Sequence, residues 1–466
     1  MPQIEELPEA GDGDIFPLTA VQQSYRLGRA ADEPMGDVAC HIYFEFDGPE
    51  IDWARMASAF LELQRRHSIL RAAFPDDAED AVILSEPVAR LRVLDLTADQ
   101  NGSHTRQLDR LRSEMSSQKM AVDQGHTMDV RLSVLPGRRS RLHIDIDHLA
   151  ADHPGIRVLL SDLADLYVGH DGDPVGDFAA YRRAGHDDEP APDIDAWRRR
   201  LADRELAPPP LPLTADPSTC SGARFARRGI ELAPERWARL TRKAEQNEVE
   251  IGAVLLAAYA HTLGRWCANP DFLINLPVFD RPGSTRMVGD FTRLIVLTFD
   301  ATGPGTLREL VDVVDVVARE YRSGRSPEFA SAAAALRTIA RKRKEATPLL
   351  GVVYTDLIET PWTTARFEET FGSMAWTITQ SPQVWLDCVC FQHGGGVRMA
   401  WDAAEELFAP QVLDSMVEYC GSVLDAFVER LWDEALPDSL PRRQREARAR
   451  VNASKRVESG KLLHQR

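Results

Sequence analysis

The segment from residue 141 to residue 152 reads RLHIDIDHLAAD, and it constrains the fold of this chain more than any other segment. Its first seven residues alternate between ionisable and apolar side chains, a period of two that predicts a β-strand with one apolar face. Apolar residues then recur at helical spacing from Ile156 to Tyr167, which predicts a helix that opens near Gly155. A strand that runs into a helix is typical of α/β folds. Ionisable groups at the end of such a strand lie where clefts form between elements.

Within this segment, His148 and Asp152 show the HxxxD spacing that several acyltransferases use. In such a site the histidine acts on the proton of a nucleophile, and the aspartate fixes the geometry of the loop. A four-residue spacing also arises by chance, and a surface-strand histidine with solvated carboxylates explains the same residues. Taken alone, the spacing favours that structural interpretation.

Strand-like and helix-like segments alternate irregularly over the rest of the chain. Strands are predicted at HIYFEFDG, DFLINLPVF, TRLIVLTFD, LLGVVYTDL and QVWLDCVCFQ. Long helices are predicted over residues 52–70, 250–266 and 410–432. The sequence therefore predicts an α/β protein in two lobes of similar size.

A polar, proline-rich stretch (DDEPAPDID, then LAPPPLPL) marks the boundary between these lobes. We predict an N-terminal lobe over residues 1–183, an inter-lobe linker over 184–213 and a C-terminal lobe over 214–440. From residue 441 to residue 466 the chain is basic and polar without apolar periodicity, which predicts a tail or interdomain linker.

Composition limits the possible partners. The net charge of −17, from 72 acidic and 55 basic residues, argues against nucleic acid, because phosphate contacts need a basic surface. No run approaches the ~18 apolar residues of a membrane span, and the acidic N-terminus does not resemble a signal peptide. We therefore expect a cytoplasmic protein without a membrane partner.

The six cysteines are scattered, and only Cys388 and Cys390 lie close together. Without a second pair at ligand spacing, no metal site is predicted, and buried free thiols are expected.

Short motifs in a fixed order extend over nearly the whole chain. FPLTAVQQSYRLGR (16–29), RHSILR (66–71) and DHLAAD (147–152) lie in the first half. The second half holds LAPPPLPL (206–213), GDFT (289–292), GVVYTD (351–356), TQSPQVWLD (379–387) and Trp401-Asp402 followed by Phe408. This series resembles the heterocyclisation domains of nonribosomal peptide synthetases, in which DxxxxD replaces the HHxxxDG of ordinary condensation domains. The tail VNASKRVESGKLLHQR is similar to the linker that leads into an adenylation domain.

The resemblance implies a fold and a reaction. The fold is α/β, with two chloramphenicol-acetyltransferase-like lobes in a V-shaped pseudodimer around a central tunnel. Upstream and downstream carrier proteins dock on opposite sides and send phosphopantetheine arms into the tunnel, so the domain itself binds no cofactor. The enzyme joins a donor acyl thioester to a carrier-bound Cys, Ser or Thr, and then cyclises and dehydrates the product to a thiazoline or oxazoline.

The resemblance also implies roles for residues. Asp387 is expected to be the general acid/base, with Thr355 as its hydrogen-bonding orienter. Asn275 is expected to hold the carbonyl oxygen. Without the family, the structural interpretation is favoured for both residues: Asp387 as an ordinary strand carboxylate in a hydrogen-bonded pair, and Thr355 as a β-branched residue of a strand. With the family, the functional interpretation is favoured.

For Asp147 and Asp152 the expected role is structural even within the family, with Asp152 paired to an arginine that braces the lobe interface. Departures from the family pattern include His148, which stands where an apolar residue is usual, His153, which stands where a condensation domain has glycine, and Asp356, which replaces the serine that follows Thr355. Asp356 is expected near the substrate, together with Gln383 of the TQSPQVWLD motif.

Three functional hypotheses therefore stand. The first is condensation with cyclodehydration by Asp387 and Thr355. The second is amide formation without ring closure, driven by His148. The third is a catalytically silent scaffold that only docks carrier domains.

Overall fold

The computed structural model describes residues 13–76, 78–98, 103–185, 195, 207–279, 281, 286–322 and 348–437. Most of the predicted inter-lobe linker and the whole tail over 441–466 lie outside the described residues.

The described chain contains sixteen strands, numbered here in chain order. They are β1 (Ile15–Pro17), β2 (His41–Pro49), β3 (Ala72–Ala73), β4 (Asp80–Ile83), β5 (Arg92–Asp95), β6 (Met128–Leu135), β7 (Arg139–Asp147), β8 (Gly176–Asp177), β9 (Phe225–Leu232), β10 (Asp271–Phe279), β11 (Met287–Val288), β12 (Thr292–Asp300), β13 (Val352–Leu357), β14 (Ser373–Gln380), β15 (Leu386–His393) and β16 (Gly396–Ala404).

Ten α-helices are numbered in the same way within the described residues. They are α1 (Ala20–Leu27), α2 (Trp53–Arg66), α3 (Ser103–Met115), α4 (His153–Val168), α5 (Phe178–Arg183), α6 (Pro234–Gln246), α7 (Ile251–Trp266), α8 (Leu307–Arg322), α9 (Ala365–Phe371) and α10 (Val412–Glu429). No helix in these ranges is long and apolar enough to cross a membrane.

The predicted elements are present, with small differences at their ends. Strands β10 and β12 coincide with the predicted segments, whereas β13 begins only at Val352 because a turn at 349–350 precedes it. The helix predicted over 52–70 is α2, which ends at Arg66 and is followed by a 3-10 turn, Ser68–Arg71. The α/β class and the two-lobed arrangement are confirmed.

The first lobe is built on a five-stranded sheet of order β14-β2-β7-β6-β5. Its apolar face packs with α2 and α4 into one core, which contains Ile144 and Ile146 of β7. Its ionisable face is buried as well: His143 is fully buried, held by the Tyr43 hydroxyl at 2.7 Å and the Ser133 hydroxyl at 3.0 Å. The alternation predicted for β7 is therefore confirmed, but its polar face is covered rather than solvated.

The second lobe is built on a six-stranded sheet of order β12-β10-β13-β15-β16-β9. Its core includes α7 and α10. Twelve of the sixteen residues of α7 are buried, which explains why this helix lacks a polar face in the sequence.

Two connections link the halves of the chain. Strand β14 comes from the second half of the sequence but completes the first sheet beside β2. Strand β11 likewise pairs with β8 in parallel, and Met287 and Val288 are buried in the core of the first lobe. The two lobes therefore share backbone hydrogen bonds as well as side-chain contacts.

Candidate active site

One row of residues crosses the second sheet. On β10, β13, β15, β16 and β9 the consecutive register partners are Asn275, Val353, Asp387, Asp402 and Arg227. Register partners on neighbouring strands point to the same face of a sheet, so the polar side chains of this row share one face.

This face is directed toward the first lobe. Val389 lies two residues beyond Asp387 on the same face, and Ala400 lies two residues before Asp402. Both are buried in the hydrophobic core of the first lobe. The row that holds Asp387 therefore lies between the two lobes.

Asp387 is buried, with 7 % of its surface exposed. Burial, reinforced by the negative charge of Asp402, raises its pKa to about 7, while Thr379, Arg227 and Thr355 act in the opposite direction. The Thr379 hydroxyl lies 3.1 Å from Oδ2, and Oδ1 has no hydrogen-bond partner among the described residues. A carboxyl with a pKa near neutrality and one free oxygen is suited to giving and taking a proton.

Asp402 stands directly opposite Asp387 and is fully buried. Its Oδ1 accepts a hydrogen bond of 2.6 Å from Nε of Arg227, and a second guanidinium nitrogen pairs with Oδ2. The backbone N–H and the hydroxyl of Thr379 also donate to Oδ2, at 2.8 and 2.7 Å. The sequence motifs contained Thr379 and Asp402 but gave no reason to place them beside Asp387, because that contact depends on strand pairing.

Asn275 lies on the other side of Asp387, across Val353. Two strand spacings separate the backbones of Asn275 and Asp387, about 9–10 Å. Asn275 is 6 % exposed, and its Oδ1 has no hydrogen-bond partner within the described part of the chain. Its Oδ1 is therefore free to accept a hydrogen bond on the face that carries Asp387.

Asp147 ends β7 and is fully buried. Its Oδ2 pairs with Arg29 at 2.6 Å, and its Oδ1 accepts the backbone N–H of Leu149 at 3.0 Å. Both oxygens are thus occupied in holding the loop that follows the strand.

Asp152 begins α4 as its N-cap, accepting the backbone N–H of Gly155 at 2.9 Å. The same carboxylate pairs with Arg281 and accepts the N–H of Phe291 at 3.2 Å, so it ties the first lobe to the segment around β11. Asp152 is 1 % exposed. The interpretation of the DHLAAD segment as solvated carboxylates is therefore wrong, because both carboxylates are buried and paired.

His148 lies in this loop and is half-buried. Its Nδ1 is 2.9 Å from the carbonyl oxygen of Ala151, which assigns the ring proton to Nδ1 and the lone pair to Nε2. Burial lowers the pKa of His148, so the ring is neutral at neutral pH. A neutral imidazole with a free lone pair is competent to accept a proton.

Strands β2 and β14 connect this loop to the row on the second sheet. Asp147 pairs in register with His41, and His41 pairs with Gln380 of β14. The residue before Gln380 on β14 is Thr379, whose hydroxyl contacts both Asp387 and Asp402. Segments that are more than 200 residues apart in the sequence therefore meet at one end of β14.

Asp356 and Gln383 do not belong to the row of residues that contains Asp387. Asp356 alternates with Thr355 along β13 and thus points to the opposite face, toward the start of α7, where a Cβ on Gly252 would lie 1.8 Å from Oδ2. It is exposed, yet desolvation by the surrounding atoms raises its pKa to about 6. Gln383, at a φ of +63°, lies in the connection from β14 to β15, where its N–H donates to the carbonyl of Met35.

No group of three or more His, Cys, Asp or Glu side chains in the described ranges is arranged to hold a metal ion. All six cysteines are free; Cys220 is half-buried and the other five are buried.

Comparison with known proteins agrees with this architecture. The family model described as Condensation domain matches residues 13–434. The chain is 34 % identical over 477 residues to phenyloxazoline synthase MbtB of Mycolicibacterium paratuberculosis, covering 98 % of this chain and 40 % of that protein. It is 30 % identical over 475 residues to pyochelin synthetase PchE of Pseudomonas aeruginosa, covering 99 % and 32 %. The chain thus spans about a third to two fifths of the length of these relatives.

The EpoB cyclization-docking bidomain of a nonribosomal peptide synthetase from Sorangium cellulosum superposes with a TM-score of 0.79 at 27 % identity, covering 93 % of this chain and 87 % of that one. The nonribosomal peptide synthetase FmoA3 superposes with a TM-score of 0.75 at 28 % identity, covering 95 % and 46 %.

The two-lobed fold and the family match together identify the chain as a two-lobed acyl-transfer domain. More particularly, the chain belongs to the condensation-domain family of nonribosomal peptide synthetases. The resemblance to heterocyclisation domains is confirmed by the relatives and by the structural match.

Proposed function

We propose that this domain joins a carrier-bound donor acyl thioester to a carrier-bound Cys, Ser or Thr, and then cyclodehydrates the product to a thiazoline or oxazoline. The names of its relatives, a phenyloxazoline synthase and a pyochelin synthetase, support this function, as does the match to a cyclization domain. The observation that carries the proposal is Asp387, a buried carboxyl with a pKa of about 7 and an unpartnered oxygen between the lobes.

The chemistry requires two steps at one place. In the first, the amine of the acceptor attacks the thioester carbon, an amide forms, and the donor's thiol leaves and takes a proton. In the second, the side-chain thiol or hydroxyl of the acceptor adds to the new amide carbonyl, and the resulting tetrahedral carbon loses its oxygen as water.

In the second step one proton must reach the departing oxygen while another leaves the ring nitrogen. A single carboxyl near its pKa can supply the first and then accept the second, and Asp387 is assigned this role. Thr355, on the adjacent strand, orients the carboxyl. Asn275, on the same face, is assigned to the carbonyl oxygen, to which its amide N–H would donate as negative charge develops.

The partners follow from the same proposal. Upstream and downstream carrier proteins present their phosphopantetheine arms to a tunnel between the lobes, and an adenylation domain follows in the same synthetase. Gln383 is assigned to substrate contact in that tunnel. The expected substrate contact of Asp356 is not proposed, because its side chain points to the opposite face of β13, toward the start of α7. The lobe boundaries at residues 183 and 213 and the cytoplasmic location stay predictions.

The proposal is tested by reconstitution with a donor carrier and an acceptor carrier loaded in turn with cysteine, serine or threonine. The acceptor-bound product is weighed by intact-protein mass spectrometry. We expect at least one acceptor to give a product lighter than the linear amide by one water. Linear amide from all three acceptors would contradict ring formation.

A second candidate function is amide formation without ring closure, and one observation favours it: His148 is neutral and has a free lone pair. The mass of the acceptor-bound product distinguishes the two candidate functions, because amide formation alone gives only the linear product. A domain that merely docks carriers leaves the donor on its own carrier.

A further inference from the structure

We propose that Asp402, held by Arg227, is a positioning residue that keeps the Asp387 carboxyl supplied with its proton during ring closure. This inference rests on the proposed function, because it assigns a role within the dehydration step. Neither Asp402 nor Arg227 contacts the reacting atoms in this account; both act through Asp387.

The geometry brings the two carboxyls together without an intervening charge. Asp387 and Asp402 are register partners on antiparallel strands, and their side chains share one face. Arg227, the register partner of Asp402 on β9, lies one strand further away, and two of its guanidinium nitrogens, Nε and Nη2, bind the Asp402 carboxylate. The carboxylate of Asp402 is therefore nearer to Asp387 than the guanidinium of Arg227 is.

The hydroxyl of Thr379 lies between the two carboxyls, 2.7 Å from Asp402 and 3.1 Å from Asp387. A hydroxyl has one proton to donate and two lone pairs that accept. When Asp387 is protonated on Oδ2, Thr379 donates to Asp402 and accepts from Asp387, so both contacts of the hydroxyl are hydrogen bonds. When Asp387 is ionised, two carboxylates compete for one proton, and the shorter contact to Asp402 prevails.

The other groups around Asp387 do not supply a compensating charge. Thr379 on β14 and Thr355 on β13 are neutral hydroxyls. Tyr259 on α7 and Cys388, the next residue on β15, interact with Asp387, and burial raises the pKa of both far enough to keep them neutral. Burial is the largest cause of the raised pKa of Asp387, and Asp402 and Arg227 are the neighbouring charges that adjust it, Asp402 upward and Arg227 downward.

The two oxygens of Asp387 differ in their contacts, and this difference matters for catalysis. Oδ2 is oriented by Thr379, whereas Oδ1 is buried and has no hydrogen-bond partner among the described residues. Replacing the charge of Asp402 would leave Asp387 in place but make it a weaker base, and replacing Arg227 would do the reverse.

The test measures single-turnover ring closure on carrier-bound substrate as a function of pH, for wild type, Asp402→Asn and Arg227→Gln. Loss of the neighbouring anion is expected to move the midpoint of the pH profile down by about one unit or more, within the range that charges at contact distance produce. Loss of the cation is expected to move it up. Opposite shifts are not produced by variants that merely loosen the fold.

Two further variants make the result decisive. Arg227→Gln leaves Asp402 unpaired and buried, so if it does not fold, the double variant Asp402→Asn/Arg227→Gln replaces it, with a midpoint expected below that of wild type. Glu231→Gln removes an exposed carboxylate of β9 and is expected to leave the midpoint unchanged.

Midpoints that stay at the wild-type pH in the Asp402 variants would overturn the inference. Absence of ring product from wild type would instead overturn the proposed function.

Discussion

Asp387 and Asp402 face each other on β15 and β16, and their carboxyls lie 3.1 and 2.7 Å from one shared hydroxyl, that of Thr379. Two buried carboxyls at this separation do not readily ionise together, and Arg227 is placed to favour the charge on Asp402 alone. Asp387 is left with a pKa of about 7. Placing Asp387 beside Asp402 lowers the stability of the folded protein at neutral pH. It also gives the site a carboxyl that exchanges protons at neutral pH.

Stability should therefore depend on pH through Asp387. The folded pKa is about 7, whereas an unfolded aspartate has a pKa of about 3.9. Between these values the folded protein holds a proton that the unfolded chain has lost, so the contribution of Asp387 is present below about pH 4 and is lost as pH rises to about 7. The full difference is on the order of 2–4 kcal/mol.

Asp387→Asn removes this dependence. At pH 8 the variant is expected to be more stable than wild type, and near pH 4 the gain should disappear, because the amide does not titrate. Chemical denaturation of both proteins across this range measures the difference in the free energy of unfolding. A constant difference at all pH values would contradict the raised pKa.

Asp152 should contribute strongly to the stability of the fold. Asp152→Ala removes the cap of α4 and leaves Arg281 without its carboxylate, so we expect a loss of about 3–5 kcal/mol in stability. The matched control is Asp52→Ala, which removes only the N-cap hydrogen bonds of α2 and should cost about 1 kcal/mol. Thermal unfolding of the two variants gives the comparison, and equal losses would show that the Arg281 pair contributes little.

His148 should affect amide formation and not ring closure. His148→Ala removes the neutral imidazole that can accept the proton of the incoming amine, and the rate of amide formation is expected to fall by about tenfold to a hundredfold. The ratio of cyclised to linear product should stay at the wild-type value. A fall in that ratio would place His148 in the second step instead.

Asn275 should act on rate rather than on substrate affinity. If its amide holds the carbonyl oxygen as charge develops, Asn275→Ala lowers kcat by about a hundredfold and leaves KM for the loaded carriers nearly unchanged. Steady-state kinetics with varied acceptor carrier separates the two parameters. A rise in KM with an unchanged kcat would indicate a binding role.

The fold was largely predictable because its strands carry strong local patterns. Strands β10 and β12 were predicted to the residue, since both are apolar runs of a length typical of strands and bounded by turn residues. The exposure of β7 was not predictable, because local alternation shows that a strand has a polar face but not that another element covers it. Here that face is buried, with His143 enclosed by neighbouring strands.

The site was predictable in part. The family resemblance named Asp387, Thr355 and Asn275, and strand pairing brings Asp387 and Asn275 into one row. The same pairing adds Asp402 and Arg227, which no spacing in the sequence connects to Asp387 because register is set by tertiary packing. Asp356 shows the converse: it is adjacent to Thr355 in sequence but lies on the opposite face of the sheet.

The most direct test of the central claim is the mass of the acceptor-bound product formed by Asp387→Asn, compared with wild type and with the matched Glu231→Gln variant. Wild type and Glu231→Gln should release water and give the ring, whereas Asp387→Asn should stop at the linear amide, because the amide side chain cannot transfer the proton to the departing oxygen. Ring formation by Asp387→Asn at the wild-type rate would contradict the account.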